Sequence, residues 1–167
     1  MVGRLNEIKR INLVVRALKG MECSLVLVGK GEDKEYLDNL AHEEGVKIKF
    51  LGTVENKQLP LIFKDATIYV CSSKSEGHPK ALIEAMGCGM PCLGTKSPGI
   101  ENIISDKVTG ILTNGDATGI REGIQCLLES PELREKVGRN ASEFVRDNYA
   151  LEKVAMRYRE VLSRHAK

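Results

Sequence analysis

The 167-residue sequence contains no tryptophan, and aromatic residues make up only 4% of it. Surfaces that bind single-stranded nucleic acids stack the bases on exposed aromatic rings, so this scarcity argues against such a surface. The formal net charge is only +2, from 25 basic and 23 acidic residues that are interspersed along the chain. The sequence therefore gives no electrostatic indication of a nucleic-acid or membrane partner.

Metal-binding and disulfide patterns are also absent. The chain has three scattered histidines and five cysteines, none in a C-x-x-C pair: Cys23, Cys71, Cys88, Cys92 and Cys126. We therefore expect no metal site. An odd number of cysteines, mostly in apolar runs, predicts buried, reduced thiols and a cytoplasmic location. No hydrophobic run approaches the length of a membrane span.

Short apolar segments alternate with helical patterns along the whole chain. Six segments are predicted to be strands, and they lie near residues 1–5, 23–28, 46–51, 67–71, 91–95 and 108–113. This alternation predicts an α/β fold, a Rossmann-like parallel six-stranded sheet with helices on both faces. The first segment has almost no strand before its turn, which indicates that the chain is a piece of a longer protein.

Several polar residues and glycines come directly after predicted strands. In parallel sheets, ligands bind beyond the carboxyl ends of the strands. The residues at these positions are Arg4, Lys9, Gly29, Thr53, Glu76 and Gly99. We expect the fold to bring them to one edge, where they would bind an anionic, nucleotide-like ligand.

The segment from Ser72 to Thr95 has the most distinctive pattern. Its loop leads into a predicted helix with Pro79 at the first position, so the amides around Gly77, His78 and Lys80 should face an anion. Glu76 precedes this helix and Glu84 lies inside it. Alternatively, Glu76 is a solvated loop residue and Glu84 only pairs with Lys80 one turn away.

Arg4 and Lys9 are two cations that flank a turn between a strand and a helix. An arginine offers a planar fork to phosphate oxygens and a lysine offers a point charge, so together they could neutralise a diphosphate. The alternative is that both are ordinary surface charges.

These motifs resemble those of a known enzyme family. The run E-G-H-P-K-A-L-I-E-A-M-G-C-G-M-P resembles the E-x7-E signature of retaining nucleotide-sugar glycosyltransferases with the GT-B fold. That family includes sucrose synthases and many mannosyl- and glucosyltransferases of polysaccharide assembly. The run G-R-L-x-x-x-K, from Gly3 to Lys9, is similar to its diphosphate-binding opening, and the resemblance covers essentially the whole chain.

The resemblance implies a role for each matching residue. Gly3, Arg4 and Lys9 would hold the diphosphate, and the two cations would stabilise its departure. Glu76 would contact the donor sugar and Glu84 the ribose hydroxyls. The remaining donor contacts would be Leu51, Thr53 and Val54 for the base, and Gly77, His78, Pro79 and Lys80 for phosphate or sugar. The family needs no metal. His78 departs from the phenylalanine that many members carry, which leaves the donor sugar open.

The resemblance further implies that residues 1–167 form one nucleotide-sugar-binding domain, the C-terminal half of a GT-B enzyme whose N-terminal acceptor domain is absent from this chain. Such an enzyme moves a hexose, for example mannose or glucose, from a UDP- or GDP-linked donor to a glycan or lipid. The half alone is expected to be inactive. The alternatives are a stand-alone nucleotide-binding module without catalysis and another GT-B enzyme, such as an epimerase.

Overall fold

The structure is a computed structural model that describes residues 1–165. In this part of the chain there are five strands: β1 (Ser24–Val28), β2 (Lys47–Gly52), β3 (Tyr69–Cys71), β4 (Cys92–Thr95) and β5 (Ile111–Thr113). The helices there are α1 (Ile11–Ala17), α2 (Lys34–Glu44), α3 (Leu59–Lys64), α4 (Lys80–Gly87), α5 (Ala117–Glu129), α6 (Pro131–Tyr149) and α7 (Leu151–His165). Two short 3-10 turns, Glu7–Lys9 and Asn56–Gln58, precede α1 and α3.

All strand pairs are parallel, as the alternation of strands and helices predicted. β1 pairs with β2, and β3, β4 and β5 form a second sheet in that order. The predicted α/β class is therefore confirmed, but the predicted count of six strands is wrong, because the structure has five among its described residues.

The missing strand is the one predicted near residues 1–5. This segment does run beside β1: the Gly3 amide donates to the Val28 carbonyl at 2.9 Å and the Leu5 amide to the Lys30 carbonyl at 3.0 Å. Only one bridge forms, between Val2 and Val28. The chain then turns away into the 3-10 turn, so the ladder is too short to form a regular strand.

Each strand of the second sheet alternates between two hydrophobic cores. Val70 and Leu93 belong to a core with α1, α2 and α5. Tyr69, Cys71 and Cys92 belong to a core with α3 and α4. Side chains of a strand alternate between its two faces, so both faces of this sheet are covered by helices, as predicted.

The two glycines after β1 are needed for close backbone packing. A Cβ added at Gly29 would lie 1.9 Å from the Gly3 carbonyl oxygen, and one at Gly31 would lie 2.0 Å from that of Leu5. Because any side chain would collide with backbone there, these glycines allow residues 3–5 to lie against the end of β1.

Helix α7 leaves a set of large apolar side chains uncovered. Leu151, Tyr158 and Leu162 are 79%, 69% and 67% exposed. In the part of the chain that the structure describes, no helix combines the length and the hydropathy that crossing a bilayer requires.

We expect Gly138→Ala to destabilise the domain, although alanine normally favours a helix. A Cβ at Gly138 in α6 would lie 2.3 Å from the Gly89 carbonyl oxygen, which follows α4. Overpacking of this kind costs about 1–3 kcal/mol, which denaturant unfolding would measure. Lys136→Ala is the control, since Lys136 is exposed on the same helix. A Gly138→Ala variant as stable as this control would contradict the close contact between α4 and α6.

Candidate functional site

A cleft of about 220 Å³ lies at the carboxyl ends of β1 and β3. One wall is the segment of residues 3–5 with the following 3-10 turn, and the other is the Glu76 loop with the start of α4. The cleft brings together seven of the residues singled out from the sequence: Gly3, Arg4, Lys9, Glu76, His78, Pro79 and Lys80. Residues that are far apart in the chain thus meet at one edge of the fold.

The five other predicted donor contacts do not line this cleft. Gly77 and Thr53 are exposed, and Leu51 and Val54 pack partly against the second core. Glu84 is half-buried, and its Oε1 lies 3.6 Å from the Lys80 Nζ one turn earlier. That pairing is the one expected if Glu84 is only a helix-surface residue, so its proposed role with a ribose stays a prediction.

An ion pair connects the two walls of the cleft. The Lys9 Nζ donates to the Glu76 Oε1 at 2.6 Å, and the two side chains are only 25% and 15% exposed. Arg4 is exposed, and its guanidinium makes no hydrogen bond or ion pair within the described residues. One cation is therefore already paired with a carboxylate, and the other remains available for an anion.

The turn after β4 forms a backbone hydrogen bond with the Glu76 loop. The Glu76 amide donates to the Pro98 carbonyl at 2.9 Å. Gly99 has a φ of +86°, and a Cβ there would lie 1.9 Å from the Glu76 carbonyl oxygen. The sequence predicts that Gly99 lies at the edge where a ligand binds, and in the structure its lack of a side chain lets the Glu76 loop pack against it.

Arg10 is a positioning residue that the sequence did not reveal. It takes a left-handed conformation, with φ 48°, and so separates the 3-10 turn from α1. Its Nε donates to the Ser72 carbonyl at 3.1 Å and its Nη2 to the Gly115 carbonyl at 2.7 Å. The Ser72 hydroxyl donates in turn to the Lys9 carbonyl at 2.7 Å. These bonds fix the backbone of Lys9 opposite the Glu76 loop.

The start of α4 differs in detail from the prediction. The helix begins at Lys80, and Pro79 is the preceding cap residue. The Lys80 amide donates to the His78 carbonyl at 2.8 Å, so it is not free for an anion. The amides of Gly77 and His78 have no backbone acceptor within the described residues. The centre of the His78 ring lies 6.0 Å from that of Tyr149, at the end of α6.

The thiols near the cleft are held protonated. Burial, and then the Glu76 carboxylate, raise the pKa of Cys71 to about 11. Burial also raises the pKa of Cys92. The prediction of buried thiols holds for these two but is wrong for Cys88, which is exposed. No group of three or more potential metal ligands occurs among the described residues, and the expectation that no metal is needed stays a prediction.

Known proteins share both the sequence pattern and the fold. The family model of the glycosyl transferases group 1 matches residues 1–144. The chain is 31% identical to N-acetyl-α-D-glucosaminyl L-malate synthase of Bacillus anthracis, over 96% of this chain and 43% of that protein. The chain spans about half the length of the curated relatives that it matches.

Two solved structures show the same fold. The HepE protein of Anabaena, in complex with UDP, has a TM-score of 0.89 at 22% identity, over 97% of this chain and 48% of that one. The C-terminal domain of LpcC from Francisella tularensis, a glycosyl transferase group 1 family protein, has a TM-score of 0.79 at 23% identity, over 90% of this chain and 85% of that one.

We expect iodoacetamide to modify Cys88 in the native protein but to spare Cys71 and Cys92 until the protein unfolds. The thiolate is the reactive form, and burial with raised pKa values keeps the two inner thiols protonated. Cys88 should react more slowly than a free thiol, because partial burial and then Glu84 raise its pKa. Peptide mass spectrometry would measure the rates, and native modification of Cys71 would contradict its burial.

Proposed function

This chain belongs to the glycosyl transferases group 1 family, and on that premise we propose that it is the donor-binding domain of a retaining hexosyltransferase. The enzyme would move a hexose from a UDP- or GDP-linked donor to a glycan or lipid acceptor. The observation that carries this proposal is the ion pair between the Lys9 Nζ and the Glu76 Oε1, at 2.6 Å, in a cleft that Arg4 also lines. A nucleotide sugar needs cations for its diphosphate directly next to an acceptor group for its sugar hydroxyls.

Arg4 and Lys9 would bind the diphosphate and oppose the negative charge that grows on it as the bond to the sugar breaks. Preorganised cations lower a barrier of this kind because they need no rearrangement during the reaction. Arg10 supports this role, since its bonds to Ser72 and Gly115 hold the turn that carries Lys9. The retaining course rests on the E-x7-E spacing of Glu76 and Glu84.

Glu76 would accept hydrogen bonds from the hydroxyls of the hexose, and Glu84 from those of the ribose. Glu84 is partly exposed and its contact with Lys80 is long, so a ribose could replace that pairing at little cost. The amides of Gly77 and His78 would add contacts to phosphate or sugar, and Thr53 and Val54 would lie against the base. UDP is the first nucleotide to test, because the similar Anabaena HepE binds UDP in its solved structure.

An acceptor domain would complete the enzyme. Pockets that enclose a ligand usually have volumes of roughly 300–1,000 Å³, whereas this cleft has about 220 Å³. The chain spans about half the length of its relatives, and the uncovered apolar side chains of α7 offer a surface on which a second domain can pack. We therefore propose that catalysis needs both halves and that the isolated chain is inactive. A cytoplasmic location stays a prediction.

Calorimetric titration with UDP, GDP and ADP would test the donor site. We expect one nucleotide to bind selectively, and Arg4→Ala and Glu84→Ala each to weaken it by about tenfold, the cost of a lost hydrogen bond to a charged group. The controls are Arg139→Ala and Glu135→Ala. These two residues form an exposed ion pair on α6 that resembles the pair of Lys80 and Glu84, since its partners are also four residues apart and its N–O distance is 3.8 Å. Equal affinity in all variants, or no binding to the unaltered chain, would count against the donor site.

The α7 surface leads to a second test. We expect Leu162→Glu to lower the unfolding temperature of a longer protein that carries the acceptor domain, because a charge would be buried at the domain interface. In the isolated chain the same change should have little effect, since Leu162 is 67% exposed there. Ser163→Glu on the same helix is the control. A Leu162→Glu effect that is equally small in both proteins would show that α7 does not pack against the acceptor domain.

A further inference from the structure

Two hydrogen bonds converge on one oxygen of Glu76. The Lys9 Nζ and the Ser73 hydroxyl both donate to Oε1, each at 2.6 Å. The other oxygen, Oε2, has no hydrogen-bond partner among the described residues. The carboxylate is thus fixed through one oxygen, while the second keeps its full capacity to accept bonds from a ligand.

Ser73 is itself rigidly placed. It is 1% exposed, and its carbonyl accepts hydrogen bonds from the Ser97 hydroxyl at 2.8 Å and the Thr95 hydroxyl at 3.4 Å. Both of these residues are buried as well. A serine hydroxyl has a single proton, and an ionised carboxylate can only accept, so Ser73 is the donor in the bond to Glu76. The Cys71 side chain also lies within hydrogen-bond reach of the Ser73 hydroxyl, and as a protonated thiol it can donate to the Ser73 oxygen. Ser73 therefore links the end of β4 to the Glu76 carboxylate through hydrogen bonds.

Lys9 would orient Glu76 less firmly once a ligand is bound. Its flexible side chain carries three donors, and under the proposed function it binds the diphosphate, which competes with Glu76 for those donors. Ser73 lines the cleft, but it is only 1% exposed and its hydroxyl donates to Glu76, so the phosphates would compete for this bond less than for those of Lys9.

We propose that Ser73 is the positioning residue that aims Glu76 at the hydroxyls of the donor sugar. The inference rests on the proposed function and adds a residue to it. Ser73 would act through Glu76 rather than bind the nucleotide, and would contribute little to binding of the nucleotide alone. Its effect should appear only in the part of the affinity that comes from the sugar.

The test compares each nucleotide with its sugar conjugate, using UDP with UDP-glucose and GDP with GDP-mannose on the whole chain. In Ser73→Ala we expect the affinity for the sugar conjugate to fall by about tenfold relative to that of the nucleotide alone. Affinity for the free nucleotide should stay within about twofold, which is less than the loss of one hydrogen bond. Ser73→Thr keeps the hydroxyl and should restore the difference. Ser75→Ala, in the same loop but exposed, should change neither affinity.

Other results of this binding test would contradict either the role of Ser73 or the donor site. An equal loss for nucleotide and conjugate, or no loss for either, would overturn the positioning role of Ser73. Failure of the unaltered chain to bind any of the four ligands would count against the proposed donor site instead. If Ser73→Ala does not fold, Ser73→Cys replaces it, since a thiol fills the same space with a weaker donor.

Crystal structures of the Ser73 variants without ligand give a second measurement that does not depend on nucleotide binding. We expect the Glu76 carboxylate to change position in Ser73→Ala and to keep it in Ser73→Thr. An unchanged Glu76 in Ser73→Ala would overturn the inference whichever nucleotide binds.

Discussion

The structure depends on the short backbone ladder between residues 1–5 and the end of β1. The bonds from Gly3 to Val28 and from Leu5 to Lys30 place this segment beside the first sheet. The following 3-10 turn then brings Lys9 over to the second sheet, where it meets Glu76. The ladder and the bonds between Arg10, Lys9 and Ser72 together bring the cations to the carboxylate. A few backbone bonds at the start of the chain are therefore part of what assembles the site.

The loops that form the site are held mostly by hydrogen bonds from side chains to backbone carbonyls of residues that are distant in the sequence. Arg10 donates to the carbonyls of Ser72 and Gly115, and Ser97 donates to that of Ser73. Because such bonds fix main chain rather than side-chain tips, the loops after β3, β4 and β5 are tied to one another. A preorganised site of this kind spends little binding energy on ordering itself when a ligand arrives.

The parts of the molecule that could be predicted are those with a local signal. Apolar runs located the five strands, and the rule that ligands lie beyond the strand ends selected Arg4, Lys9 and Glu76 before their contact was known. The first predicted strand, near residues 1–5, was expected to be only the end of a strand before a turn, and one bridge forms there. Arg10 and Ser73 carry no local signal, since their roles depend on carbonyls and a carboxylate supplied by other parts of the chain. Gly99 could be placed after a strand end from the sequence, but its close approach to the Glu76 carbonyl could not be predicted.

The reach of Arg10 has a consequence for folding. Its two bonds join positions that are 62 and 105 residues away along the chain. Contacts of such high sequence separation require the closure of long loops, which costs conformational entropy and slows folding. The bonds of Arg10 can therefore support the turn that carries Lys9 only when the chain that follows β3 and β5 is in place. A nascent chain could not make the bond from Arg10 to Gly115 until the residues after β5 have been synthesised, so this support for the site arrives late in synthesis.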